Sequence, residues 1–269
     1  MTKPFVYRSF WEDVAAAISQ RELAWQLYVA ELAEQRRTSG LGIVAPFVSV
    51  LVHVIILGSV MAIVFAEPID EFLPFFAVSF AIWQAISIAV SQFAYANEHA
   101  GRYLHFPNLS GYLVHLMSIY QLVVALLLKL VAALAIIAVV NPAILLQASY
   151  AGFLFGLLVI GATLFAWALP MAFLFDRIRL LRGFLPQMLF AIYLLTPILW
   201  NPSRLEGHMW IVELNPVYHL IELARAPMLN GALPIQSVVV AAALCAAGTL
   251  LSLSLFGANR RLMVFRWMA

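Results

Sequence analysis

Six stretches of this chain run for 17 residues or more without one Asp or Glu, at residues 41–66, 72–96, 111–140, 143–175, 184–200 and 235–258. That feature decides what the chain folds into. A hydrocarbon core about 30 Å thick is crossed by about 20 helical residues. No water is available there to satisfy an open backbone, so only helices or closed barrels can span it. Six apolar runs of this length read as six transmembrane helices. The remaining composition agrees, with 64% hydrophobic and 10% charged residues, where an ordinary soluble domain is about half apolar and about a quarter charged. A soluble globular fold is excluded. The third and fourth runs exceed what a perpendicular helix needs, so tilt or extension past the bilayer is expected of them.

Orientation follows from the cations. Twelve Lys and Arg fall in the N-terminal segment (Lys3, Arg8, Arg21, Arg36, Arg37), the second loop (Arg102), the fourth loop (Arg177, Arg179, Arg182) and the tail (Arg260, Arg261, Arg266). The alternate loops hold only Arg204 and Arg225, and the first of them is acidic through Glu67, Asp70 and Glu71. The positive-inside rule then places both termini in the cytoplasm. The net charge of +2 gives no support for a nucleic-acid partner. No cleavable signal peptide is expected, because the first forty residues are polar and amphipathic.

Two segments outside the runs carry pattern. Val14, Ile18, Trp25, Val29 and Leu32 fall on one side of a helix, with Arg21 and Arg36 at its edges. Such a helix suits a bilayer surface, where guanidinium groups reach lipid phosphates; packing against the protein's own loops fits as well. Residues 201–234 are too apolar for a solvated loop. Asn215 is a fitting N-cap with Pro216 at the first helical position, giving a helix that ends before Pro227, preceded by a short helix over about 203–214. The expected fold is therefore all-α and polytopic. An interface segment (1–40) leads into a six-helix transmembrane domain (41–258) with an outer re-entrant helical pair (201–234), and a cytoplasmic tail (259–269) follows.

Chemistry is conspicuous by what is missing. No phosphate-binding glycine loop or H-E-x-x-H motif occurs, and the only lysines are Lys3 and Lys129. Cys245 stands alone, so no disulfide or cysteine metal site is possible within the chain. Glu98, His99 and His105 match no familiar metal spacing, and no metal or cofactor is expected. Lys129 stands inside the third run, where a charge is costly and faces a partner or water. His53 and His115 suit packed, neutral, hydrogen-bonded roles. Gly152 and Gly156 form a G-x-x-x-G that permits close helix contact.

Three passages resemble the permease subunits of ABC transporters that export bacterial polysaccharides. Arg21-Glu22-Leu23 through Arg36-Arg37 and Ser39-Gly40-Leu41-Gly42 looks like that family's amphipathic entry helix and polar turn. Phe175-Asp176-Arg177-Ile178-Arg179, Pro186-Gln187 and Leu195-Thr196-Pro197-Ile198 resemble its charged loop and proline-containing fifth span. Leu214-Asn215-Pro216-Val217-Tyr218-His219-Leu220-Ile221-Glu222-Leu223-Ala224-Arg225-Ala226-Pro227 is similar to its N-P-x-x-H-x-I-E-x-x-R outer re-entrant stretch. Gln35-Arg36-Arg37-Thr38 departs from the basic-aromatic run that many members carry there.

The resemblance implies a homodimer in the bacterial inner membrane, joined to two separate ATPase subunits that hold ATP and Mg. Its cargo would be an undecaprenyl-pyrophosphate-linked polysaccharide, of O-antigen type in preference to capsule or teichoic acid. Arg21 and Arg36 would meet the lipid pyrophosphate. Arg102, Tyr103, His105, Phe106 and Pro107, in the loop at 97–111, would dock the ATPase. Asn215, Pro216, His219, Glu222 and Arg225 would form the outer gate. The chain itself would be a translocating subunit and not an enzyme.

On the second span Phe72, Phe76, Phe80 and Trp83 share a narrow arc bordered by Gln84, Ser87 and Ser91. Rings offer flat faces to sugar C–H groups while amide and hydroxyl groups exchange hydrogen bonds with sugar hydroxyls, so this face suits a polysaccharide path; helix packing or lipid exposure also produces an aromatic stripe. Two other classes compete. A secondary transporter would carry coupled acids within its spans, and these runs have none. A membrane glycosyl-lipid enzyme would cluster carboxylates or histidines at one interface, for which Glu206, His208, Glu213, His219 and Glu222 are the candidates.

The orientation is checked by cysteine labelling after Cys245 is replaced. A cysteine at Pro68 or Ser203 is expected to react with an impermeant reagent from outside, and one at His105 or Leu181 is not; the reverse pattern would overturn the charge count.

Overall fold

The computed structural model describes residues 15, 18–96, 113–205 and 207–266, and the regular structure among them is all helical. The interface helix is α1 (Arg21–Ser39). A first span follows in pieces: a tight turn at Gly42–Val44, α2 (Ala45–His53), a π-turn (Val54–Gly58) and α3 (Ser59–Val64). Then come α4 (Ile69–Ala94), α5 (Leu113–Val140), α6 (Ala143–Gln147), α7 (Tyr150–Arg177), α8 (Arg179–Leu195), α9 (Trp210–Glu213), α10 (Pro216–Asn230) and α11 (Ile235–Arg266).

Five stretches are long and apolar enough to cross a membrane: Gly42–Val64, Ile69–Ala94, Leu116–Val140, Tyr150–Arg177 and Ile235–Leu255. The expected span at 184–200 is instead α8, a helix of 17 residues that stops at Leu195. At 1.5 Å per residue it rises roughly 25 Å. Thr196 turns extended at ψ 136° because the ring of Pro197 crowds helical backbone in the residue before it.

The fourth run, expected to be continuous over 143–175, is broken between α6 and α7. Ala148 is extended, and Ser149 caps α7 by accepting from the Gly152 N–H at 3.2 Å. The excess length of that run is thus a short helix lying across the end of α10. The single short helix expected over 203–214 resolves into a turn at Pro202–Arg204 and the four-residue α9, because Gly207 sits at φ +78° between them. The last helix continues to Arg266, well into the expected tail.

The largest departure is in α10, which was expected to end before Pro227 and passes through it to Asn230, where Gly231 closes it at φ +67°. A proline inside a helix removes one donor and pushes on the carbonyl four residues back. Here that carbonyl, Leu223 O, lies against Gly156 of α7, so close that a Cβ on Gly156 would stand 2.1 Å from it. One turn away, a Cβ on Gly152 would stand 3.1 Å from Pro227 Cβ, and Pro227 O accepts the Ser149 N–H at 2.8 Å. The G-x-x-x-G is the seat of α10.

Around this seat the helices form one core with α4 at its centre, packed on α5, α7 and α10. α11 lies along α7, where Gly248 makes room for the Trp167 indole and Trp167 Nε1 donates to Leu244 O at 3.0 Å. α1 buries Ala24 and Tyr28 and packs on α5 through Leu27, Met117 and Tyr120, while Ile18, Trp25 and Val29 stay exposed.

Gly156→Leu drives a side chain into the Leu223 carbonyl and is expected to lower thermal stability in detergent by about 1–3 kcal/mol or more, or to abolish the folded peak in gel filtration. Gly161→Ala, with nothing near its Cβ, is the control expected to change neither.

Candidate functional site

Among the described residues one cleft lies at the N-terminal end of α4, beside Glu71 and Phe75, and another farther along it, beside Gln84 and Ile88. The first is assembled by α10. Asn215 Oδ1 accepts the N–H groups of Val217 and Tyr218 at 3.0 and 3.4 Å, while its Nδ2 donates to Thr196 Oγ1 at 2.9 Å. One side chain therefore caps α10 and ties it to the break after α8. His219, 1% exposed, donates from Nε2 to Glu213 O at 2.8 Å, since a carbonyl can only accept. Its Nδ1 then accepts from the Ser237 hydroxyl at 3.0 Å, joining α10 to α11.

Arg225 is the strongest node. It is 3% exposed, and its Nε and Nη2 both donate to Glu222 Oε2, the first at 2.8 Å. Its Nη1 donates to Pro197 O at 2.7 Å and Ser79 Oγ at 3.1 Å, and the guanidinium lies 4.4 Å from the centre of the Phe75 ring. Burying a cation is costly unless its hydrogen bonds are made and its charge is balanced; Arg225 has four of its five N–H groups engaged and a carboxylate beside it. The cleft beside it, about 390 Å³, is lined by Glu71, Phe75, Tyr218, Glu222, Arg225 and the amides of Asn141, Asn201 and Asn230. It combines aromatic faces with carboxylate, guanidinium and amide groups.

The second cleft, about 300 Å³, lies between α1, the first span, α4 and α5. Lys129, 3% exposed, donates from Nζ to Gln84 Oε1 at 3.0 Å, and Gln92 Nε2 donates to Gln121 Oε1 at 3.0 Å. Lys129 thus has its partner on the second span. Tyr28 faces the same cleft from α1, and burial pushes its phenol above the ordinary tyrosine range, so it stays a neutral hydroxyl.

The aromatic stripe is placed differently from a lining. Phe72, Phe76, Phe80 and Trp83 are all buried within the subunit. Phe80 stacks on His53 with centroids 4.2 Å apart, Trp83 on Tyr193 at 6.0 Å, and Gly58 in the π-turn lets Phe76 approach. Of the polar groups bordering the stripe, Gln84 reaches the second cleft, and Ser87 is half-buried, its carbonyl accepting from the Ser91 hydroxyl at 2.8 Å. Arg21 is exposed at the start of α1; Arg36 belongs to the same helix, its side chain outside the described residues. Arg102, Tyr103, His105, Phe106 and Pro107 also lie outside the described residues. Asn215, Pro216, His219, Glu222 and Arg225 come together on α10, joined by partners that no motif marked: Ser79, Thr196, Pro197 and Ser237.

A family model described as ABC-2 type transporter matches residues 22–229, covering everything from α1 to the last turn of α10. No curated protein matches the chain.

Arg225→Met leaves the half-buried Glu222 without its cation and Pro197 O and Ser79 Oγ without their donor, and is expected to cost about 3–5 kcal/mol, read as loss of the monodisperse peak in gel filtration. Glu222→Gln keeps an acceptor for the guanidinium and is expected to cost less; equal stability of Arg225→Met and the parent would remove the network from the fold's support.

Proposed function

From the premise that the chain belongs to the ABC-2 type transporter family, and so is the transmembrane permease subunit of an ABC transporter, we propose that its cargo is a lipid-linked polysaccharide. In this reading two copies form the path and two ATPase subunits, which bind ATP and Mg, drive it. The substrate is an undecaprenyl-pyrophosphate-linked glycan of O-antigen type, carried out of the cytoplasm across the bacterial inner membrane. Both termini of the chain are then cytoplasmic, and the α10 cleft opens outward.

One observation supports this cargo above others: the α10 cleft presents rings, amides and paired charges together. Sugars are recognised by that combination, the rings taking C–H faces and the amides and carboxylates exchanging hydrogen bonds with hydroxyls. A moving polymer needs many shallow contacts, since conduction requires that binding be weak enough to leave. Asn141, Asn201 and Asn230 on three separate segments provide such contacts. The buried Phe72, Phe76, Phe80 and Trp83 act behind this surface, holding α4 rigid beneath the cleft. Arg21 and Arg36 on α1 take the lipid pyrophosphate through charge-assisted bonds, and the loop at 97–111 meets the ATPase.

The test uses the chain reconstituted with its ATPase in vesicles supplied with lipid-linked glycan. Tyr218→Leu keeps an apolar side chain on α10 and removes a ring and hydroxyl from the cleft. It is expected to lower glycan export several-fold with basal ATP hydrolysis unchanged. Export at the parental rate would take this cleft off the path, and transport of an unrelated cargo in place of the glycan would overturn the reading as a whole.

A further inference from the structure

The cleft beside Lys129 gathers hydrogen-bond donors. The ammonium has three N–H groups and one hydrogen bond among the described residues, to Gln84 Oε1. A cation can only donate, so it fixes the Gln84 amide with its oxygen inward and its Nε2 hydrogens free to turn to the cleft. The Gln121 oxygen is taken by Gln92, which leaves Gln121 Nε2 as a second such donor. Ser49 and Tyr28 add hydroxyl groups. No carboxylate among the described residues makes an ion pair with Lys129. Arg225, the other cation buried among the described residues, has Glu222 as its counter-charge; Lys129 has none among them, in a place where an unbalanced charge is costly.

The walls and mouth of the cleft define the shape of what fits. Ile88, Val124 and Leu128 line it with apolar surface, and the exposed Ile43 and Ser49 of the first span line it as well. We propose that this cleft is a binding site for a phosphate-bearing amphiphile that enters from the membrane, its phosphate held by Lys129, Gln84 and Gln121 and its alkyl chain leaving past Ile43. A phosphate offers several acceptor oxygens to converging donors and supplies the missing negative charge. A neutral headgroup would leave that charge unbalanced, and a free inorganic anion would leave the apolar walls without contact. The inference stands independently of the cargo: a permease for another substrate would still hold the probe, and a glycan exporter lacking the site would not.

The full chain is reconstituted in phosphatidylcholine vesicles containing a minority of phosphatidic acid, then released from detergent into native mass spectrometry. The expected result is phosphatidic acid retained in preference to phosphatidylcholine, with retention falling about ten-fold in Lys129→Gln, the equivalent of about 1.4 kcal/mol, and restored in part in Lys129→Arg. Should Lys129→Gln fail to fold, Ser49→Phe, at an exposed position in the mouth, is expected to exclude the lipid while leaving the Lys129–Gln84 pair intact. Equal retention of the two lipids, or unchanged retention in both variants, would overturn the proposal. Inorganic phosphate at millimolar concentration is the second arm: displacement of the lipid by it would assign the site to a free anion and overturn the amphiphile.

Discussion

Every carbonyl in this bundle must find a donor inside the protein, because the hydrocarbon around it offers none, and the helix contacts are organised by the places where that rule is strained. A proline within a helix frees the carbonyl four residues earlier, and in lipid that oxygen cannot turn to water. Pro74 frees Asp70 O, which accepts from Asn141 Nδ2 at 3.4 Å. Pro170 frees Ala166 O, which accepts from the Ser252 hydroxyl at 2.8 Å. Pro227 frees Leu223 O, which lies against the bare face of Gly156. These three defects are thereby covered from elsewhere in the chain: that of α4 by the residue after α5, that of α7 by α11, and that of α10 by α7. The break after α8 follows the same logic, since Pro197 O is taken up by Arg225. Lipid-facing apolar surface gives helices no reason to prefer one neighbour. These polar obligations do.

The two cations buried among the described residues show what such obligations cost and what they permit. Arg225 spends its donors on a carboxylate, a carbonyl and a hydroxyl from three parts of the chain, and so welds α10 to α4 and to the α8 break. Lys129 has one amide partner and a cleft. A planar guanidinium with five donors suits a fixed joint, whereas an ammonium with rotatable donors suits a place where a partner comes and goes. The same physical penalty thus yields a structural joint at Ser79 of α4 and a polar cleft at Gln84 of the same helix.

Much of this was legible in the sequence, for reasons that can be named. Five of the six expected spans follow from acid-free runs, the α10 start from Asn215-Pro216, and the outward apolar positions of α1 from Trp25 and Val29. Thr196-Pro197 already marks the end of α8, although the apolar run through Trp200 hides it. What was not legible is compensation between distant residues. Pro227 signals a helix end when read locally, and only Gly156 on another helix explains why α10 passes through it. The rings of Phe72, Phe76, Phe80 and Trp83 look the same in sequence whether they face a lumen or a neighbour; the first span and Tyr193 decide it by covering them. Ser79 and Gln121 carry no local signal at all, yet each completes a site.

The stripe's burial has a mechanical consequence for the two clefts. Ser79 holds Arg225 and Gln84 holds Lys129, and five positions along one helix separate them by about 7.5 Å. Between and beside them Phe80 and Trp83 are locked by His53 and Tyr193, so α4 cannot bend there without breaking ring contacts. A rotation of α4 that withdraws Ser79 from Arg225 therefore also moves Gln84 relative to Lys129. The aromatic core converts two local hydrogen-bond sites into features of one rigid post. The Lys129–Gln84 pair and the seating of Arg225 on Ser79 therefore bear on the same rigid stretch of α4.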